Sequence, residues 1–130
     1  MQWTKDQRKI IDARDCNLLV SAAAGSGKTA VLVERIIEMI ADTAHPMDID
    51  ELLVVTFTKA AAAQMKDKIA KALEDMLQKE PENEHYMKQL NYISQANILT
   101  IDSFCYQVVK ENFHVLGIDP TIRIGEPGEI

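Results

Sequence analysis

Short apolar runs alternate along the chain with longer segments in which apolar residues recur every three or four positions. The runs at 17–21, 52–57 and 97–101 are typical of strands that are buried on both faces of a sheet. The longer segments have the period of amphipathic helices. Strands that alternate with helices in this way predict βαβ units, and hence an α/β protein with a parallel sheet flanked by helices.

The pattern predicts four main helices. One follows a glycine-rich turn, a second follows the run 52–57, a third begins near Pro81, and a last one runs from Ser103 to a stop at Gly117. Their apolar positions are Val31, Leu32, Val33, Ile36, Ile37 and Ile40; Met65, Ile69, Leu73 and Met76; Tyr86, Leu90 and Ile93; and Phe104, Val108, Val109, Phe113 and Leu116. Residues 118–130 contain two Pro and two Gly without a clear period, so we expect a tail or the start of a further element.

Composition and charge limit the classes of partner. The chain has 130 residues, with 14 Lys and Arg against 20 Asp and Glu, and a net charge of −6. This balance excludes a protein that holds nucleic acid by a uniformly basic surface, although localised phosphate sites remain possible. No apolar run approaches the roughly 18 residues that cross a bilayer, so we expect a cytoplasmic protein without a membrane partner. We expect Cys16 and Cys105 to be free and buried.

The strongest chemical signal is the sequence Ala-Ala-Ala-Gly-Ser-Gly-Lys-Thr at 22–29, between a predicted strand and a predicted helix. In this context the glycines allow a tight turn whose N–H groups face an anion, Lys28 reaches the phosphates, and the Thr29 hydroxyl binds Mg²⁺. The alternative is a helix start made of small residues, with Lys28 merely exposed. The candidate nucleotide-binding residues are Ala22, which replaces the usual Gly, Ala23, Ala24, Gly25, Ser26, Gly27, Lys28 and Thr29.

Two further polar residues each have more than one interpretation. Gln7 follows Thr4 at the spacing of a helix capping box, which the spacing alone favours; the alternative is that its amide pairs with an adenine edge. Asp102 follows an apolar run, as does the Mg²⁺-binding aspartate of P-loop enzymes. It could also cap a helix that begins near Ser103, or simply end a strand. With Asp102 as a Mg²⁺ ligand, the chain would be a self-contained small ATPase or kinase.

Several motifs in their order resemble the N-terminal part of superfamily I helicases of the UvrD/Rep type, in particular their RecB-like members. The motifs are Trp3-Thr4-x-x-Gln7, the stretch 19–36 around the glycine-rich turn, the stretch 53–65 with Thr56-Phe57-Thr58-Lys59, and the stretch 100–105. The family usually has Asn at position 59, Glu at 64 and His at 102, where this chain has Lys, Gln and Asp. The resemblance covers most of residues 1–124.

The resemblance implies a RecA-like P-loop NTPase fold. Residues 1–117 would be the N-terminal part of the first ATP-binding domain, and 118–130 a tail or the start of a helical insertion. The cofactors would be ATP and Mg²⁺, with Gln7 on adenine and with Lys28 and Thr29 in the catalytic site. Single-stranded DNA would contact Phe57, Thr58, Lys59, Ser103 and Phe104. By its own chemistry Phe57 could instead be a core residue, and Thr58 a helix N-cap.

The resemblance also implies the activity of a longer protein. This would be a bacterial cytoplasmic helicase that acts on nucleoid DNA, moves 3′–5′ on single strands and unwinds duplex ends. With an exonuclease, and as a heterodimer with an AddB-type nuclease partner, it would process double-strand breaks for recombination. The family's Asp-Glu-x-Gln-Asp segment, which supplies the Mg²⁺ carboxylate and the general base, does not occur in the chain. We therefore expect an incomplete first motor domain that binds ATP without efficient hydrolysis.

A third hypothesis is not enzymatic. The chain would be a nucleotide-binding interaction module, and ATP would control its contact with another protein. This hypothesis predicts that the chain captures a protein partner when ATP is present and DNA is absent. A motor domain, by contrast, needs DNA for its activity.

Overall fold

The computed structural model describes residues 2–123, 125 and 128. Within them the α-helices are α1 (Lys5–Asp12), α2 (Lys28–Ala41), α3 (Lys59–Lys79), α4 (Glu84–Tyr92), α5 (Ile101–Glu111) and α6 (Phe113–Leu116). The strands are β1 (Leu53–Thr56) and β2 (Asn97–Thr100), and short 3-10 turns lie at Ile49–Glu51 and Ile93–Gln95. The remaining tail residues, 124, 126, 127, 129 and 130, lie outside the described part, so the expectation for 118–130 falls partly beyond it.

The two strands form a parallel pair. Their register runs from Leu53 opposite Asn97 to Thr56 opposite Thr100, and α3 and α4 lie between the strands in the sequence. A parallel pair needs a crossover of this length, usually helical. The mixed α/β class and the parallel pairing are therefore confirmed.

The predicted strand at 17–21 is wrong. This segment has no helix or strand assignment, and Leu19 is 97% exposed, with Leu18 and Val20 more than two-fifths exposed. An apolar run becomes a strand only when a neighbouring strand accepts its backbone N–H and C=O groups. In the described residues β1 and β2 pair with each other and not with this segment.

The core lies between α2, α3 and one face of the sheet. The helical stripes of α2 and α3 point into it, as the apolar period predicts, although Leu32 is 38% exposed. Val54 and Ile98 bring the sheet face into the same core, whereas Leu53 and Val55 on the other face are exposed. The buried cluster consists of Ile36, Ile37, Ile40, Ile49, Met65, Ile69, Leu73, Ala96 and Ile98.

Two helix starts differ from the prediction because side-chain caps decide them. α4 begins at Glu84 and not near Pro81, since the Asn83 side chain accepts a hydrogen bond from the Tyr86 N–H at 3.1 Å. α5 begins at Ile101, since the Thr100 Oγ1 atom accepts from the Ser103 N–H at 3.1 Å. Each cap satisfies a donor that the first helical turn leaves free.

The predicted last helix is divided in two. Asn112 separates α5 from α6, and its side-chain amide donates to the Val108 carbonyl at 2.7 Å. Gly117 ends α6 with φ at 67°, the left-handed conformation that glycine adopts readily at a helix end, so the predicted stop is confirmed. Cys16 and Cys105 are free, but both are exposed and not buried. No helix in the described residues is long and apolar enough to cross a membrane.

One polar side chain is completely buried in this packing. Gln89 on α4 accepts a hydrogen bond from the Ile49 N–H at 2.6 Å and donates to the Asp48 carboxylate at 2.8 Å. Lys88 also donates to Asp48, at 3.0 Å, and this contact lowers the pKa of the Asp48 carboxyl. The ionised Asp48 carboxylate therefore stabilises the contact between α4 and the turn at Ile49–Glu51 at pH values above the usual aspartate pKa. This stabilisation is lost when the pH falls far enough to protonate Asp48.

We predict that Gln89→Leu lowers the free energy of unfolding by about 1–3 kcal/mol, because it leaves the buried Ile49 N–H without an acceptor. Lys88→Ala is the matched control on the same helix. It removes a half-exposed ion pair and should cost less than about 1 kcal/mol. Urea denaturation measures both. Equal stability of the two variants would contradict the structural role of Gln89.

Candidate nucleotide-binding site

The glycine-rich turn leads directly into α2. Gly25 and Gly27 have φ values of 79° and 83°, a left-handed region where other side chains are strained. The Ser26 N–H donates to the Ala23 carbonyl at 3.2 Å, and the Gly27 carbonyl accepts from the Val31 N–H at 3.0 Å. α2 therefore begins at Lys28, and the unpaired N–H groups of its first turn lie at the loop.

Helix α1 brings Gln7 to this loop. The Gln7 Oε1 atom accepts from the Thr4 N–H at 2.9 Å, and Thr4 Oγ1 accepts from the Gln7 N–H at 3.2 Å, so the predicted capping box is confirmed. In addition, Gln7 Nε2 donates to the Ser26 carbonyl at 3.2 Å. The sequence pattern carried no signal for this last contact, because Gln7 and Ser26 are 19 residues apart.

A charge network fastens α1 to α2. Arg8 binds both carboxylate oxygens of Asp12 through Nε at 3.0 and 3.1 Å, and it also binds Glu38 on α2. These bonds raise the pKa of Arg8, and the Arg8 guanidinium lowers the pKa of Asp12. Burial, together with the nearby Glu38 carboxylate, raises the pKa of Glu34 on the same face of α2. Arg8 and Asp12 are exposed and Glu38 is half-buried, so solvent screens much of this network and it orients the helices more than it stabilises them.

A second contact between these helices consists of hydrogen bonds from one arginine side chain. Arg35 on α2 donates through Nη1 to the Ile10 carbonyl at 2.6 Å and also to the Ala13 carbonyl. Both acceptors lie at the end of α1, where carbonyls lack helical partners. Ile11, between them, is fully buried. α1, and with it Gln7, is therefore held in one position against α2.

A cavity of about 530 Å³ lies between α1, the loop and α2. Its volume is in the range typical of small-molecule sites. Apolar side chains from all three segments face it, and Gln7 and Lys28 are among its polar groups. The lining residues are Thr4, Asp6, Gln7, Ile10, Val20, Ser21, Ala22, Ser26, Lys28, Val31 and Leu32.

A second cavity, of about 550 Å³, also borders Lys28. It is lined by Gly25, Gly27, Lys28, Thr29, Ala30 and, from α3, Lys68. Lys68 is a residue that the sequence analysis missed, because on the polar face of an amphipathic helix it has the same pattern as its neighbours Lys66 and Lys71. Only the packing of α3 beside α2 brings Lys68 to the loop.

The donors at this second cavity fit a polyphosphate. Within the described part of the chain neither Lys28 nor Lys68 has a carboxylate partner, although the protein is acidic. Two such cations beside a helix N-terminus favour anions. For Mg²⁺ the cavity offers the Thr29 hydroxyl, and the described residues contain no group of three metal-ligating side chains. Mg²⁺ would therefore take its other ligands from phosphate and water, as it commonly does.

The residues predicted to face DNA lie at one edge of the sheet. Because β1 and β2 run parallel and Thr56 lies opposite Thr100, the segments that follow them leave the sheet on the same side. Phe57 is 93% exposed, so the alternative of a core residue is wrong for the described chain. Thr58 is the N-cap of α3 and accepts from the Ala61 N–H at 3.1 Å. Lys59 is exposed in the first turn of α3.

The second predicted DNA motif contributes less open surface. Ser103 and Phe104 are half-buried in the first turn of α5, and the Ser103 hydroxyl accepts from Thr100 Oγ1 at 2.8 Å. Asp102 lies in the same first helical turn, so it neither ends a strand nor caps the helix. An acidic residue at this position interacts favourably with the helix N-terminus.

The comparison with known proteins covers nearly the whole chain. The UvrD/REP helicase N-terminal domain matches residues 3–129. The chain belongs to this family. Among its relatives, the AddA component of the ATP-dependent helicase/nuclease of Lachnoclostridium phytofermentans is 56% identical over 98% of this chain and 9% of its own length. The proteins of the same name from Clostridium novyi and Clostridioides difficile are each 55% identical, over 99% and 98% of the chain and 10% of their own lengths.

This UvrD/REP chain spans about a tenth of the length of those curated relatives. The matched residues include α1, the glycine-rich loop and the two segments at the sheet edge that were predicted to face DNA, 56–59 and 102–104.

Proposed function

We propose that this chain is the ATP-binding part of a helicase motor. Residues 1–117 would form the N-terminal part of a RecA-like P-loop domain, and 118–130 a tail or the start of a helical insertion. The observation that carries the proposal is the glycine loop at the start of α2. Two lysines without carboxylate partners in the described residues line one cavity there, and Gln7 lines the adjoining one.

In this proposal ATP occupies both cavities. Adenine lies in the first, of about 530 Å³, which we call the base-side cavity, and the phosphates lie in the second, of about 550 Å³, which we call the phosphate-side cavity. Adenine lies among the apolar residues Ile10, Val20 and Val31, and the Gln7 amide pairs with its edge. The phosphates lie against the N–H groups at the start of α2, with Lys28 and Lys68 neutralising their charge. The Thr29 hydroxyl would hold Mg²⁺, which when bound neutralises charge on the phosphate oxygens.

The DNA strand would cross the carboxyl edge of the sheet. Phe57 presents a nearly free aromatic face, and base stacking on such a face is independent of sequence. The N-termini of α3 and α5 lie at the same edge and favour phosphate, and Lys59 adds a positive charge. Ser103 and Phe104 would contact the strand from the second motif.

The relatives' name supports the role of the longer protein. They are named as components of an ATP-dependent helicase/nuclease. We infer that the whole protein couples ATP hydrolysis to 3′–5′ movement on single-stranded DNA in the cytoplasm. With exonuclease activity and an AddB-type nuclease partner, it would process duplex ends for recombinational repair.

We predict that Lys28→Ala raises the Kd for Mg-ATP about 10–100-fold, because it removes a charge-assisted contact to phosphate. Lys68→Ala should raise this Kd about two- to ten-fold and leave adenosine binding unchanged, because Lys68 lines only the phosphate-side cavity. Lys71→Ala, an exposed lysine on α3 that lines neither cavity, is the control. Calorimetry on the 130-residue chain measures all three. Unchanged Mg-ATP affinity in Lys28→Ala would overturn the site.

Asp102→Asn separates the motor fragment from a self-contained small ATPase. Asp102 lines neither cavity, so we expect the Kd for Mg-ATP to stay within about two-fold of wild type. We also expect slow hydrolysis by the chain, since none of the described residues that line the phosphate-side cavity is a carboxylate. Loss of Mg-ATP binding in Asp102→Asn, with rapid turnover in wild type, would favour the small ATPase.

For DNA, we predict that Phe57→Ala weakens binding of a short oligo-dT strand about five-fold or more at low salt, because a stacking surface is lost. Tyr92→Ala is the control, because Tyr92 is a partly exposed aromatic residue on α4, away from the sheet edge. Fluorescence anisotropy measures both variants. The fold should tolerate Phe57→Ala, since the side chain is 93% exposed. Equal affinity of the two variants would remove Phe57 from the DNA surface.

A further inference from the structure

Gln7 makes a contact that adenine recognition does not require. Its Nε2 atom donates to the Ser26 carbonyl within the glycine loop, at 3.2 Å, while its Oε1 atom accepts from the Thr4 N–H, at 2.9 Å. These partners fix the amide orientation, because a backbone N–H needs an acceptor and a carbonyl needs a donor. The side chain thus bridges the start of α1 and the middle of the loop.

The contact bears on the direction of one backbone N–H group. A trans peptide unit is planar, so its C=O and N–H groups point in opposite directions. When Gln7 holds the Ser26 carbonyl toward α1, the N–H of Gly27 points away from α1. Gly27 lines the phosphate-side cavity with Lys28 and Lys68. Because glycine has no Cβ, the residue itself restricts the orientation of the Ser26–Gly27 peptide less than another residue would, so an outside contact is needed to fix it.

We propose that Gln7 is a positioning residue for the phosphate-binding loop, in addition to any contact with the base. It holds the Ser26–Gly27 peptide so that an N–H donor, and not a carbonyl oxygen, faces the phosphates. This inference rests on the proposed nucleotide site and adds a role within it. The arrangement depends on the Arg35 contacts that fix α1 against α2.

Both roles are compatible at one amide. The NH₂ group has two hydrogens and the carbonyl oxygen has two lone pairs. The Ser26 carbonyl uses one of the hydrogens, and the Thr4 N–H uses one of the lone pairs. Gln7 therefore keeps one donor and one acceptor, the pair that an adenine edge requires. Base recognition therefore does not release the loop.

The test uses tripolyphosphate, a ligand without a base. If Gln7 positions the loop, Gln7→Ala raises the Kd for Mg-tripolyphosphate about three- to ten-fold, although no adenine is present. Lys9→Ala is the control, because it changes an exposed side chain of α1 that lines neither cavity and leaves the contacts of Gln7 in place. Its affinity for tripolyphosphate should stay within about two-fold of wild type. Equal affinities of wild type and Gln7→Ala would overturn the positioning role and leave the nucleotide site intact.

A spectroscopic measurement separates positioning from general damage. In the ligand-free chain, the ¹H and ¹⁵N shifts of the Gly27 amide should change in Gln7→Ala and stay unchanged in Lys9→Ala. Gln7→Glu, which keeps the capping acceptor and removes the donor to Ser26, should shift the same amide, and it covers the case in which Gln7→Ala fails to fold. An unshifted Gly27 amide in Gln7→Glu would overturn the proposal. Failure of wild type to bind tripolyphosphate while it binds DNA would overturn the nucleotide site itself.

Discussion

The fastening of α1 to α2 is the interaction on which the candidate site depends. The glycine loop follows an exposed segment without strand partners in the described chain, so no sheet contact fixes it from that side. Arg35 on α2 instead fixes α1, because its guanidinium donates to two carbonyls at the end of that helix. The ion pair between Arg8 and Glu38 also orients the two helices. A planar guanidinium with several donors suits this task better than an ammonium group. The base-side cavity exists because these two helices stay together.

The local distribution of charge, and not the net charge, decides where this protein can bind an anion. The net charge of −6 would repel phosphate as a whole, yet Lys28 and Lys68 stand at the loop without carboxylate partners in the described residues. Acidic side chains are engaged elsewhere, with Asp12 and Glu38 on Arg8 and Asp48 on Lys88. Screening limits the reach of each group to about 10 Å, so a local excess of cations can bind an anion on an acidic protein.

Local patterns predicted those parts of the fold whose stabilising contacts are close in sequence. The apolar stripes of α2 and α3, the Thr4–Gln7 capping box and the end of α6 at Gly117 all follow from neighbours within one or two helical turns. The errors arose where a side chain or a partner strand decided the outcome. Asn83 and Thr100 set the starts of α4 and α5, and the apolar run 17–21 lacks a strand to pair with in the described chain.

The sequence by itself determined the glycine-rich loop and its lysine, because the glycines, Lys28 and Thr29 act through a turn and a helix start that are contiguous in the chain. It also predicted the Thr4–Gln7 capping box of α1, which the structure confirmed. The tertiary structure alone decided that Gln7 reaches Ser26, that Lys68 is the lysine of α3 that lines the loop cavity, and that Phe57 lies outside the core. Those facts depend on how helices and strands distant in sequence pack together, and a periodic pattern carries no record of which neighbour each face will meet.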